Sequence, residues 1–532
     1  MRYKLARKTE NYMEKILKIV RPVVITPFEA IRRIFSVHVM RHFHFLNYPH
    51  HSEHRGHDFE NDRDFLFLPE IHSAKKHIHA ENISFGIVFA VAAVALLALV
   101  QFVFQVSVLV VLSGLIVLLY VIFLGFKVWV VYAGRKHRFI EVSDRELAKL
   151  TDEELPMYTV FIPLLNEAEV VPQIMRAMTA IDYPKEKIEY IITLEAYDHE
   201  TRKAIEDAKP PKNFRILTLP DVRPKSKPKA LNVAFREAKG EFIVIYDAEI
   251  IPDRNQLRKA YVAFKKNPHL GAMQTRLDHY NASQNLLTKL FNAEFAFYYD
   301  LFLPGLERMG FPVPLSGHST HFRAEILKTV GAWDPYNVTE DCDVGMRLHR
   351  QGYQTGILNS MSYEEATSSL GAWIPQRTRW MKGFIQTSVV HLRHPLRFKK
   401  EIGGWGNFAA FFCTIPGTII LNLLNFLSWI TQLVWFFAHP EFIQRLYPPL
   451  LLYFAVASFV AGSFIFMYMN LIAVYRRGRY HLVKYVLLTP AYWVLLAIAT
   501  LRAMVQFVSN PHAWEKTKHG SHLKQNVSVK TV

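Results

Sequence analysis

Glu241-Phe242-Ile243-Val244-Ile245-Tyr246-Asp247-Ala248-Glu249 is the stretch on which the reading of this chain turns. Phe242 to Tyr246 is an unbroken apolar run that ends in two carboxylates. Such a run, without polar alternation, suits a strand buried on both faces, as in a parallel sheet covered by helices. Ligands of such sheets collect at the carboxyl ends of the strands. Asp247 and Glu249 are two apart and, in an extended backbone, project the same way. Paired so, they suit a hard cation, Mg²⁺ or Mn²⁺, bridging to a diphosphate. Taken alone, an acidic turn on the surface reads the same way.

Outward from this stretch the pattern repeats. Tyr158 to Leu165 is an apolar strand ending in Asn166-Glu167, and Glu169 to Thr179 has helical periodicity. Ile188 to Leu194 leads into Glu195, and Phe214 to Leu219 is a further strand. Lys229 to Lys239 reads as a helix stopped by Gly240 as a carboxyl-terminal cap. Residues 156–390 are therefore expected to form an α/β domain with a mostly parallel central sheet. Glu195, Asp247 and Glu249 all follow strands and are expected to converge.

Two later motifs add chemistry. Thr339-Glu340-Asp341 opens an expected helix that runs through Leu348 and ends near Gly352. A helix amino terminus stabilises a carboxylate, so Asp341 is expected to stay ionised and to accept a proton. Ordinary helix capping accounts for the same residues. Gln376-Arg377-Thr378-Arg379-Trp380 lies on an amphipathic stretch before the second apolar block. Two guanidiniums suit a departing diphosphate, and an indole face suits a sugar ring. A membrane-surface helix with Arg and Trp at headgroup depth is compatible with both. Lys227, Lys229 and Asn232 are candidate phosphate and nucleotide contacts, whereas Phe295, Phe297, Tyr298 and Tyr299 read as core.

The chain has 532 residues, of which 51% are hydrophobic and 20% charged, with net charge +17. That mixture fits a membrane protein carrying a soluble domain. The basic excess fits loops beside spans and anionic substrates, and nucleic acid is not an expected partner. Cys342 and Cys413 give no disulfide framework. Residues 1–82 are a basic, His-rich lead, expected on the cytoplasmic side, with ten histidines between His38 and His79 whose spacing matches no recurrent metal site. Residues 83–134 read as a transmembrane hairpin, Ile83–Phe104 and Val106–Tyr132, since each run exceeds the ~20 residues a span needs. Later candidate spans are Phe408–Phe437, Leu450–Tyr475 and Val483–Val508. Basic Arg476-Arg477-Gly478-Arg479 and the basic tail are both expected inside. Three spans cannot put the α/β domain and the tail on one side. One segment must therefore be a hairpin, re-entrant or interfacial: residues 403–418, with Pro416 and Gly417, or a last segment broken at Pro490.

The ordered motifs resemble those of the inverting family 2 membrane glycosyltransferases, the superfamily of cellulose synthase and hyaluronan synthase. Within it the chain is most similar to the XagB-like bacterial exopolysaccharide synthases. The resemblance spans about residues 156–520. It implies a GT-A type nucleotide-sugar domain over 156–390, interfacial helices over 391–418, transmembrane helices over 419–508 and a cytoplasmic tail over 509–532. It implies metal binding by Asp247 and Glu249 and a general base in Asp341. Nucleotide-sugar contacts fall on Asn166, Glu167, Glu195, Lys229, Asp247, Arg377 and Arg379. Acceptor contacts fall on Gln376, Trp380 and Glu340. Trp514-Glu515-Lys516-Thr517 is similar to the family's gating loop, in which Trp514, Lys516 and Thr517 would close over the nucleotide. Glu195 stands where the family usually has Asp.

The expected function is polymerisation of a sugar from a UDP-sugar donor onto a growing polysaccharide, with export across the inner (plasma) membrane. The expected cofactor is Mg²⁺ or Mn²⁺. The lipid bilayer is an implied partner, and regulatory or export proteins are further ones. A rival enzyme loads one sugar onto a lipid phosphate. A rival of another class is a transporter or sensor that binds nucleotide without turnover.

Overall fold

The computed structural model describes residues 67–68, 72–76, 107–135, 139–221 and 224–516. The expected span Ile83–Phe104, most of the His-rich lead and Thr517 lie outside these residues. At the centre is an eight-stranded sheet. Its strands are β1 (Tyr158–Pro163), β2 (Ile188–Glu195), β3 (Phe214–Leu219), β4 (Phe242–Ile245), β5 (Ile251–Pro252), β6 (Leu270–His279), β7 (Thr320–Arg323) and β8 (Gln354–Glu364), in the spatial order β3-β2-β1-β4-β7-β6-β8-β5. The first four are parallel, and β6 is parallel to β8. β7 runs antiparallel to both neighbours, as β5 does to β8, so the sheet is mixed but mostly parallel as expected, with β7 and β5 opposed to the other strands.

Burial on both faces explains the unbroken apolar runs. Val160 and Ile162 of β1, with Phe242 and Val244 of β4, join one core. The alternate residues Phe161, Ile243 and Ile245 join the core on the other face with Trp333. Each strand therefore has apolar side chains at both parities.

The helices used below are α1 (Val108–Gly134), α2 (Lys227–Arg236), α3 (Leu286–Phe297), α4 (Leu303–Arg308), α5 (Glu340–Arg350), α6 (Leu370–Leu392), α7 (Trp405–Thr414), α8 (Pro416–Ala438), α9 (Pro449–Arg476) and α10 (Thr489–Ser509). α2 ends at Arg236, so Gly240 is not its cap. Gly240 instead permits close approach, since a Cβ there would lie 2.5 Å from the backbone nitrogen of Thr159. Cys342 and Cys413 are free and buried.

Among the described residues, α1, α8, α9 and the segment Tyr480–Ser509 are long and apolar enough to cross a membrane. Both breaks considered from sequence are present. The chain bends between α7 and α8 at Pro416, and Tyr480–Leu488 is a 3₁₀ stretch that becomes α10 at Thr489-Pro490. The lower end of α1 is seated on α4 by two glycines. A Cβ on Gly305 would lie 2.2 Å from the Val130 carbonyl oxygen, and one on Gly134 would lie 2.8 Å from Gly305 Cα. The end of α9 is tied to the α/β domain by Arg477, which is bidentate to Asp300 at 2.7 and 2.9 Å, and by Arg479 on Asp278 at 2.6 Å. α10 runs beside α6: Tyr492 meets Arg377 at 3.0 Å, and past the end of α10 Lys382 donates to the Ala513 carbonyl at 2.7 Å.

Candidate active site

The strand ends supply the acids. β4 stops at Ile245, and Asp247 to Ile250 form a turn closed by the Ile250 N–H on the Asp247 carbonyl at 3.1 Å. The expected extended geometry of Asp247 and Glu249 is thus replaced by a turn, yet both line one cavity with Glu167, Glu195 and Asp341. Lys227 begins α2, with Pro228 setting the first turn. Its ammonium donates to Asp247 Oδ1 at 2.5 Å and to the Gly317 carbonyl at 2.7 Å. A Cβ on Gly317 would lie 3.3 Å from both Lys227 Nζ and Asp341 Oδ2, so base and ammonium meet at the same loop.

Burial, then the charges of Asp247 and Glu364, push the Glu249 carboxyl up to about 8. Glu364 ends β8 with its oxygens 3.2 Å from His279 Nε2 and 3.0 Å from His318 Nε2. Burial alone would raise Glu364, but the two imidazoles hold it well below the usual carboxylate range. Burial opposes the charging of His318, and Glu364 followed by Asp247 overcomes it, so the imidazole is raised.

These residues fit a divalent cation. Two acids repel each other in a buried site, and a cation between them would relieve that repulsion. Among the described residues no three His, Cys, Asp or Glu side chains cluster as ligands. A pair of carboxylates completed by substrate phosphates and water is the usual arrangement for Mg²⁺.

α5 brings Asp341 to the same cavity in its first turn. Burial raises the Asp341 carboxyl above its ordinary range, against the Cys342 N–H, Lys227, Arg379 and His318. Desolvation thus works against the helix terminus that was expected to favour the ionised form. Glu340, 2% exposed, is pushed up to about 8 by burial and by Asp341. Asp341 Oδ1 is buried with no hydrogen-bond partner, which leaves a lone pair for an incoming proton.

α6 backs directly onto this helix entry, since a Cβ on Gly383 would lie 2.2 Å from Thr339 Oγ1. Its motif residues divide. Arg377 is bonded to both oxygens of Glu294 on α3 at 2.9 and 2.5 Å, and sits 4.3 Å from the ring centres of Phe291 and Trp380. A guanidinium committed in this way does not face a phosphate freely, which departs from the expected arginine pair. Arg379 lines the cavity in the field of Glu340, Asp247, Asp341 and Glu249 and stacks 4.6 Å over Trp514. Gln376 accepts from Thr367 at 2.9 Å, and Trp380 lines the cavity. Phe295, Phe297 and Tyr299 are buried core as expected, and with Tyr298 they line the cavity too.

The tail reaches the site. Lys516 Nζ is 3.2 Å from Glu167 Oε1 and 3.4 Å from the Asn166 carbonyl. Asn166 itself has a left-handed backbone, φ 49°, and donates its N–H to Asp198. Lys229 departs from its expected role. Fully buried, its ammonium lies on Glu195 at 3.1 Å and the Pro220 carbonyl at 3.3 Å, where it orients Glu195. Asn232 likewise bonds the backbone of Trp333. Sequence reasoning did not assign His318, Glu364 and Glu294, which come from distant elements, and it ranked Lys227 beside Lys229. Ser226-Lys227-Pro228 as a helix start was the one local signal available.

The α/β sheet with its acid-lined cavity at the strand ends is a GT-A-like glycosyltransferase fold. Residues 156–383 match the family model for glycosyltransferase like family 2, and they form a glycosyltransferase domain of that family. The probable glycosyltransferase YdaM of Bacillus subtilis is 27% identical over 234 residues, 43% of this chain and 56% of that protein. The poly-β-1,6-N-acetyl-D-glucosamine synthase of Staphylococcus epidermidis is 27% identical over 238 residues, 44% of this chain and 57% of that one. The chain thus spans a little over half the length of these relatives. A mannosyltransferase, PcManGT from Pyrobaculum calidifontis, solved with GDP-Man and Mn²⁺, aligns with TM-score 0.52 and 17% identity. That alignment covers 75% of this chain and 99% of that one, and it speaks to the fold.

Proposed function

We propose that this protein is an inverting, processive membrane glycosyltransferase of the plasma membrane. It adds sugar from a UDP-sugar to a growing exopolysaccharide that leaves through its own membrane helices. The observation that carries this reading is the course of the cavity. It runs from Asp247 and Asp341 past Trp380 to Tyr120, Asn425 and Phe466 on α1, α8 and α9.

In the transfer, Asp341 takes the proton of the acceptor hydroxyl as its oxygen attacks the anomeric carbon. The bond from that carbon to the diphosphate breaks, and the electron pair leaves with the nucleotide. Asp247 and Glu249 would hold Mg²⁺ or Mn²⁺, which when bound supplies positive charge to the leaving diphosphate. Arg379 and Lys227 add fixed positive charge on the same side. Trp380 offers its face to the acceptor sugar, with Gln376 and Glu340 beside it, and Arg377 is a positioning residue that holds Trp380 through Glu294. Trp514 and Lys516 close over the donor.

The membrane arrangement proposed here is supported by packing. α8 leaves the domain and α9 returns to it at Arg477, a pair of crossings. α10, although apolar enough to span, lies beside α6 as an interfacial helix. Domain and tail would then share one side, the cytoplasmic one, with an even number of crossings between them.

The test is UDP release and product sizing by the detergent-purified chain across a panel of UDP-sugars with Mg²⁺ or Mn²⁺, beside Asp341→Asn. Release that vanishes in the variant, with a ladder or polymer as product, is expected. A single glycolipid would replace this reading with transfer to a lipid phosphate, and nucleotide binding without release would remove enzymatic transfer.

A further inference from the structure

Beyond Trp380 the walls of the cavity become membrane helices. Among the described residues of those helices, one charged side chain lines it, Lys127 of α1. Lys127 is seven residues, about 10 Å of helix rise, from the α1 end that docks on the domain. A cation at this depth is costly unless it is paired or serves a ligand. Its ammonium lies 5.3 Å from the ring centre of Phe466 and 6.0 Å from that of Phe302, and makes no ion pair among the described residues. Aromatic faces offset part of the cost of that charge but supply no counter-ion. The carboxylate whose field reaches Lys127 is Glu294, already bonded by Arg377 and Tyr492.

The same walls hold unsatisfied neutral groups. Thr414 Oγ1, in a residue 4% exposed, and Asn425 Oδ1 are buried without a hydrogen-bond partner, and both residues line the cavity. Buried polar atoms without partners mark a place where a polar occupant belongs. Thr414 and Asn425 suit hydroxyl groups; Lys127 suits an oxyanion.

We infer that Lys127 is an anion-binding residue for the occupant of the cavity. The inference rests on the proposed passage of the glycan through it. The occupant would carry an oxyanion close behind the reacting terminus. One source is a carboxylate on the sugar units of the glycan. The other is the phosphate of a lipid-linked acceptor. A wholly neutral glycan would leave Lys127 uncompensated at each step.

The experiment uses the full chain in phosphatidylcholine vesicles with Mg²⁺, UDP-glucose, UDP-N-acetylglucosamine or UDP-glucuronate, with and without a polyprenyl phosphate. Wild type is compared with Lys127→Met and Lys127→Arg. Titration with UDP reports on the donor site alone, and product charge is read by anion exchange. The expected result is an acidic product whose yield falls about tenfold or more in Lys127→Met and recovers in Lys127→Arg, while the affinity for UDP stays within about twofold. An acidic, water-soluble product from UDP-glucuronate alone identifies the sugar carboxylate. An organic-extractable product that requires the polyprenyl phosphate identifies the lipid phosphate. A neutral, water-soluble product overturns the inference, as does acidic product made equally well by Lys127→Met. Absence of UDP release from wild type with every donor overturns the transferase reading itself, and this inference with it.

Discussion

At the catalytic end of the cavity cations lean on acids: Lys227 on Asp247, Lys516 on Glu167, His318 on Glu364. At the membrane end Lys127 faces two phenyl rings, and Thr414 and Asn425 have no partners. The first arrangement is a set of charges that must exchange partners when a diphosphate arrives. On the proposed function the second is a passage whose polar groups wait for the glycan that moves along it. The contrast teaches that a single cavity can hold matched charges at one end and unmatched polar groups at the other, which under the proposed function separates chemistry from transport.

The contrast breaks most sharply at Asp341. Asp341→Asn is expected to lower turnover by about 10²–10⁴-fold, the usual contribution of a general base, with nucleotide affinity unchanged in a direct binding assay. Turnover retained there would move the base elsewhere. The pH profile carries the same sign. Asp341 must be deprotonated to act, and burial raises its carboxyl. The kcat/KM of wild type is therefore lost as pH falls through that raised value, at higher pH than for an exposed aspartate.

Arg379→Ala comes next, with an expected loss of about 10²–10³-fold in kcat, as for removal of one fixed charge beside a developing anion. Arg377→Ala tests the division of the two arginines. Because Arg377 is bonded to Glu294, its loss is expected to damage acceptor use more than UDP release to water. Equal damage to both would return Arg377 to the diphosphate.

Gly305→Val addresses the joint between the two ends. Its side chain would collide with the Val130 carbonyl, 2.2 Å from the new Cβ. Overpacking of this kind costs about 1–3 kcal/mol. A lower thermal midpoint in detergent is expected, with shorter products and UDP release less affected. Unchanged product length would show that α1 does not need its seat on α4.

What sequence could show follows from what each feature depends on. The parallel strands were legible because Phe242 to Tyr246 and Ile188 to Leu194 are buried on both faces, and such burial demands unbroken apolar runs. The acids at their ends were legible for the same reason. β7 was not: Thr320-His321-Phe322-Arg323 has little strand character, and its place between β4 and β6 depends on tertiary pairing. The turn at Asp247, the partner Glu294 and the engagement of Lys229 by Glu195 all depend on residues far away in the chain. Hydropathy found Val483–Val508, which lies within Tyr480–Ser509, a segment long and apolar enough to cross a membrane. Asp341 was placed correctly at a helix start, but the upward push of burial on its carboxyl is not written in the local sequence.

The smallest effect is expected at the tail, and it tests whether the catalytic end closes as a lid. Lys516 pairs with Glu167 at 3.2 Å across a partly exposed contact, and such pairs contribute about 0–1 kcal/mol. Lys516→Met is therefore expected to raise the donor KM by up to about fivefold and to leave kcat nearly unchanged, because an ion pair that only holds the segment over the donor acts on binding. Trp514→Ala removes the face on which Arg379 stacks and should act on both constants. If Lys516→Met lowers kcat at constant KM, the tail takes part in the transition state rather than in closure. The charges of the catalytic end would then extend past the α/β domain into the segment that follows α10.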